Sequence, residues 1–220
     1  MSVNRLGGLW AFLLLLLALS SAGCTVFGVR TYETPKYTVV LKEDDKEIRY
    51  YEPYIVAKTT VTGDFEEAQG EAFRILAGYI FGGNEKKQEI AMTGPVVQKS
   101  TGESERIPMT GPVTQRLSPE GWVMTFMMPS AYRMEDLPAP KDKRVSLEAV
   151  PAKYVAAIRF TWLESESRNE AKANELLQWL TRVKGYEATS APMYAGYDPP
   201  WALPFVRRNE VMIELKKARQ

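Results

Sequence analysis

Apolar residues along this chain fall into three patterns: one unbroken run, several stretches that alternate with polar residues, and two longer stretches with helical spacing. The alternating stretches are Tyr37 to Lys42, Glu47 to Tyr51, Tyr54 to Val61, Trp122 to Met128, Arg144 to Ala149, Lys153 to Trp162, Met193 to Tyr197 and Asn209 to Leu215. Turn-forming or charged residues bound them, so each is predicted as a strand. Period-two alternation sets Ile55, Ala57, Thr59 and Val61 on one face of the third. It likewise groups Trp122, Met124, Phe126 and Met128, and separately Tyr154, Ala156, Ile158, Phe160 and Trp162.

Helical spacing predicts two helices, Phe65 to Phe81 and Arg168 to Val183, with Asp64 placed to cap the first. In the first, Ala68, Ala72, Ile75, Leu76 and Tyr79 form a core stripe, and Phe73, Ala77, Ile80 and Phe81 form a second stripe beside it. Gly70 falls next to the second stripe and Gly78 lies farther round. Each costs about 1 kcal/mol relative to Ala in a helix interior, which calls for a reason. One reason is that a flat body lies close to the backbone at Gly70; the other is a helix buried on most sides. The second helix carries one stripe, Ala173, Leu176, Leu177, Leu180 and Val183, and Gly185 caps it.

Tyr54-Ile55-Val56-Ala57 leads into a helix and then strands, and Tyr154-Val155-Ala156-Ala157 repeats that order. The duplication predicts one α+β domain with pseudo-two-fold symmetry, a predominantly antiparallel sheet or barrel carrying two helices. Met-Thr-Gly-Pro-Val also occurs twice, at 92–96 and 109–113. Each copy reads as a Gly-Pro turn left through Val, and together they predict a folded-back double hairpin that closes the first half and launches the second.

Composition narrows the chemistry. Lys plus Arg number 28 against 27 for Asp plus Glu, so no charge excess draws the chain to nucleic acid. Histidine is absent and cysteine occurs once, which excludes His-based zinc sites, Ser-His-Asp and Cys-His nucleophiles and histidine acid/base catalysis. Asp44-Asp45 and Glu66-Glu67 are adjacent pairs, whose side chains diverge, so they are not a catalytic dyad.

The unbroken run, Leu9 to Leu19, follows Arg5 and is shorter than the roughly 20 residues a membrane span needs. It reads as the core of an export signal over residues 1–23. Ser20-Ser21-Ala22-Gly23-Cys24 resembles the bacterial lipobox, with Ser21 where Leu is usual, and makes Cys24 the expected lipidated first mature residue. Cleavage after Ala22 is the alternative. Residues 24–36 form a tether and 37–217 the folded domain, expected to face the periplasm or cell exterior on a membrane anchor.

Several spaced motifs resemble the SOUL haem-binding protein family: Ile48-Arg49-Tyr50-Tyr51 before Tyr54, Tyr79 to Asn84, Ile90 to Val96, Leu137-Pro138-Ala139-Pro140 and Arg207 to Val211. The resemblance covers roughly Tyr37 to Leu215. It implies a SOUL-like, internally duplicated α+β distorted barrel and non-enzymatic binding of haem or another tetrapyrrole in an apolar groove beside the first helix. Gly70, Phe73, Leu76, Ala77, Ile80 and Phe81 are the expected cofactor-binding residues. Some members use an axial histidine, and others basic side chains where this chain has Gly70 and Gly78. A protein iron ligand would therefore be a Met or Tyr, with Tyr79 and Met92 as candidates and core packing as their other role. A non-haem amphipathic-ligand or protein-interaction module and a tetrapyrrole-modifying enzyme are the competing readings.

Overall fold

A computed structural model describes residues 32–86, 104–199 and 201–218. The predicted signal segment, Cys24, Met92 and the first Met-Thr-Gly-Pro-Val copy lie outside the described residues. Strands β1 (Tyr37–Glu43), β2 (Lys46–Tyr51) and β3 (Tyr54–Val61) lead into helix α1 (Phe65–Ile80). Then follow β4 (Asn84–Glu85), β5 (Val113–Ser118), β6 (Gly121–Met127), β7 (Ala139–Pro140), β8 (Ser146–Val150) and β9 (Lys153–Phe160). Helix α2 (Glu166–Leu180) precedes β10 (Tyr186–Ala188), β11 (Met193–Gly196) and β12 (Asn209–Lys217).

The main sheet runs β1-β2-β9-β12-β11-β5-β6-β3-β8, with β10 also paired to β12. Every pairing is antiparallel. From β2 to β8 this order is a palindrome: β2 answers β8, β9 answers β3, β12 answers β6, and β11 answers β5 at the centre. The duplication read from the two Tyr-x-x-Ala segments is thus a structural one, with its pseudo-two-fold axis between β5 and β11. The halves are also interleaved, because β2 pairs with β9 of the second half and β8 with β3 of the first.

Both helices lie on one face of the sheet, α1 over β3 and β6 and α2 over β9 and β12. The predicted core stripe of α1 is buried throughout, together with Ala57, Val61, Trp122, Met124 and Phe126. Asp64 accepts from the Glu67 N–H at 2.9 Å, as its position predicted. Under α2 the core contains Ala156, Ile158, Ala173, Leu176, Val211 and Ile213. This helix starts at Glu166 rather than Arg168, because Ser165 caps it. Its stripe is also rotated: Leu177 is exposed, while Trp179 is buried and donates its indole N–H to Glu43 at 2.9 Å. A third cluster, with Tyr51, Val155, Ala157 and Met212, lies on the helix-free face.

The sheet is an open, distorted antiparallel structure, in keeping with the predicted α+β class. β9 ends at Phe160, two residues early, since Trp162 takes φ 89 and leaves the strand exposed. Strand β5 was legible only at its first residue. Its hairpin with β6 turns at Gly121, where φ is +127 and a Cβ would stand 2.4 Å from the Val61 carbonyl.

The second Met-Thr-Gly-Pro-Val copy launches β5, which lies inside the first half, so it does not divide the halves. It is a clasp for the segment before β1. Thr110 bonds the Met127 carbonyl, and the Gly111 N–H donates to Glu33 at 2.9 Å. The Tyr32 ring lies so close to Gly111 that a Cβ there would meet it at 2.3 Å.

Candidate functional site

Apart from Ile90 to Val96, which lies outside the described residues, the resemblance motifs meet in two structural clusters. At the end of α1, the Tyr79 hydroxyl donates to the Pro138 carbonyl at 2.9 Å, and the Asn84 side chain bonds Tyr79 and Glu105. β4 and β7 pair beside them. Burial, with the nearby phenol Tyr132 and carboxylate Glu105, pushes the Tyr79 phenol well above its ordinary range, and its hydroxyl is engaged as a donor in the core. On the helix-free face, fully buried Arg49 forks onto fully buried Glu210 at 2.6 and 2.9 Å. Glu47, Tyr197 and Arg208 complete the network. Burial would raise the Glu210 carboxyl, but bonds and charge from Arg49 and Arg208 prevail and hold it at about 2.

The cleft that can take a ligand lies on the helix side at the pseudo-two-fold axis. Here α1 and the entry to α2 stand apart above the central strands, leaving a groove of about 490 Å³. β5 contributes Val113 and Gln115, β11 Tyr194 and Gly196, and β6 Met124, because these positions share the helix-facing register. The first turns of α1 bring Glu66, Gln69, Gly70 and Phe73. Leu163 and Glu164 enter from the β9–α2 connection, and Asp198 and Arg207 from the β11–β12 connection.

The structure divides the six residues expected to bind a cofactor. Gly70 lines the groove, and a Cβ placed on it would meet no atom within 4 Å. Phe73 lines it too, 38% exposed, with its ring centroid 5.4 Å from that of Phe126. Leu76 and Ile80 lie in the core under α1, Ala77 is half-buried, and exposed Phe81 stands past the helix end; none of these four lines the groove. Gly78 opens onto a separate depression beside Arg74, Lys141 and Arg144.

Gln115, Glu164, Tyr194 and Arg207 are groove residues that no periodicity or spacing marks as functional. Gln115 is 3% exposed, and its amide N and O have no hydrogen-bond partner among the described residues. A buried unpaired amide costs about 1–3 kcal/mol, so a donor and acceptor reaching it would be held. Burial pushes the Glu164 carboxyl up, only partly offset by the Arg207 charge and a bond from Gln69. Burial, with Glu170 and Glu166 nearby, likewise raises the Tyr194 phenol.

A tetrapyrrole ring fits the apolar side of this groove, where Gly70 leaves room and Phe73, Val113, Met124 and Leu163 offer contact. The polar side suits haem less well. Three acids, Glu66, Glu164 and Asp198, face one cation, Arg207, where two propionates would lie. No histidine is available for the iron. Among the described residues, no three His, Cys, Asp or Glu side chains cluster to hold a metal ion.

These features define an internally duplicated α+β ligand-binding fold with a groove between its helices. The chain belongs to the SOUL heme-binding protein family, whose model matches residues 32–214. It is 33% identical to heme-binding protein 1 of Xenopus tropicalis over 75% of this chain and 80% of that protein. Identity to heme-binding protein 1 of Xenopus laevis is 30%, over the same shares. Among solved structures, the EcmrR C-terminal domain superposes with a TM-score of 0.51 at 14% identity, covering 83% of this chain and 99% of that one. That likeness is one of fold.

Proposed function

We propose that this protein binds haem or another tetrapyrrole without catalysing a reaction, the ring lying over Gly70 and against Phe73 in the groove beside α1. The observation that carries the reading is the open space at Gly70 next to an exposed Phe73, a flat apolar seat on the groove side of α1. Membership of a heme-binding family, and two relatives that are heme-binding proteins, support the ligand class. Val113, Met124 and Tyr194 would hold the other side of the ring, and Arg207 is the groove's cation for a propionate. Haem, when bound, would bring an iron centre; burial of the ring supplies the affinity in this reading.

Hemin titrated into the full chain should give a saturable Soret change and quench tryptophan fluorescence. Phe73→Asp should weaken binding at least about tenfold, some 1.4 kcal/mol. A featureless titration, or one indifferent to Phe73→Asp, overturns the site. The unpaired Gln115 amide favours a second reading, a non-haem ligand carrying its own N–H and C=O, which predicts hemin affinity no better than that of an unrelated apolar surface.

The same proposal places the domain outside the cytoplasm, exported by the signal at 1–23 and anchored through lipidated Cys24. The apolar run Leu9 to Leu19 and the small residues before the lone cysteine support it. Cys24→Ala should release the protein from the membrane fraction; a variant still membrane-bound would sink the anchor.

A further inference from the structure

The sheet face turned away from the helices encloses a second cavity, of about 320 Å³, and we infer that it binds an amphipathic carboxylate of the fatty-acid class. The volume lies within the range of small-ligand sites, about 300–1,000 Å³. Its apolar floor is a strip of Val56, Val123, Met127, Val155, Met193 and Met212, contributed by five strands. Unbranched methionines adapt to a flexible tail better than a rigid wall does.

The polar end follows from strand register. Lys58 of β3 stands opposite Thr125 of β6, which stands opposite Thr114 of β5, so the three form one row on this face. Arg116 lies two residues along β5 on the same face, opposite Val123. Thr114 and Thr125 share one hydroxyl bond, in which one hydroxyl donates, leaving the other hydroxyl's proton for a ligand.

Charge selects the ligand's sign. Lys58 is paired with Glu148, and Lys153 with Glu214 at 2.6 Å. Arg116 is half-buried, and its guanidinium has no hydrogen bond or ion pair among the described residues. One cation is therefore uncompensated at the end of an apolar strip, and its guanidinium fork matches a carboxylate. A carboxylate there would accept from Arg116 and a threonine hydroxyl while its tail covers the valines and methionines. The groove on the opposite face has the reverse balance and would repel the same head group.

The test is calorimetric titration of the full chain with dodecanoate below its micelle concentration, beside dodecyltrimethylammonium, which has the same tail and a cationic head. Dodecanoate should bind saturably and at least about tenfold more tightly than the cation. Arg116→Glu should remove most of that difference, Arg116→Gln should reduce it while keeping the side-chain length similar, and Phe73→Asp should leave it unchanged. Equal binding of the two amphiphiles, no saturable dodecanoate binding, indifference to both Arg116 variants, or loss on Phe73→Asp would each overturn the assignment. Hemin binding by Arg116→Glu tests the groove separately, so either site can fail without the other.

Discussion

The groove and the cavity lie back to back at the pseudo-two-fold axis, one residue's thickness of sheet apart, and their chemistry is opposite. Gln115 faces the groove and its neighbour Arg116 faces the cavity, because successive strand residues alternate. Three acids and one arginine border the groove, whereas three cations and two acids border the cavity. A helix walls one site, while strands and the loops beside them form the other. The difference teaches that one sheet can present two concave surfaces of unlike charge, with the same strands lining both.

The largest expected effect would erase the comparison by unfolding both sites. Glu210→Leu removes the carboxylate that Arg49 forks onto and leaves it buried with the Glu47 carboxylate alone, and should cost about 3–5 kcal/mol in urea unfolding. Next comes Leu76→Ala, which should cost about 2–5 kcal/mol while the folded fraction keeps its hemin affinity, because Leu76 fills the core beneath the groove's helix. A clear affinity loss at unchanged stability would instead put Leu76 in the site. Asp64→Ala removes the cap of α1 and should cost about 1 kcal/mol, loosening the groove's helical wall but not dodecanoate binding.

The smallest effect is one of pH, and it separates half-buried Glu164 from fully buried Glu210. The Glu164 carboxyl is raised in the folded protein, so the native state holds the extra proton and stability falls as pH rises from 4.5 through the raised value. Glu164→Gln should abolish that slope in melts across pH 4–8. Glu210 has the opposite sign: its contribution is present above 4.5 and is lost as pH falls toward about 2. A wild-type melting profile unchanged by Glu164→Gln would show that burial does not govern the groove's charge.

Much of the fold was legible in the chain. Period-two and helical patterns located β1–β3, β6 and both helices to within a few residues, and the repeated Tyr-x-x-Ala segments announced the palindrome. Of the groove only Gly70 and Phe73 were legible, since a glycine inside a helix beside a second apolar stripe has a cost that calls for a reason. Leu76 and Ile80 show the limit: helical spacing says which residues share a stripe, not where the neighbouring strands end. Glu164 and Gln115 sit far apart in sequence and line one groove only because β5 and β11 pair across the axis. Strand β5 itself, Val-Thr-Gln-Arg-Leu-Ser, carries too little apolar contrast to announce a central strand.

The exchange of β2 and β8 between halves also bears on when this molecule can acquire its shape. β12 follows all the other described strands yet lies between β9 and β11 in the interior of the sheet, so the two halves join only once it is in place. Neither half holds all the strands that border it, and the pairings that complete them are distant in sequence. Such topologies fold slowly compared with those built from local contacts. Groove and cavity, which both take strands from each half, are therefore completed together and late in folding.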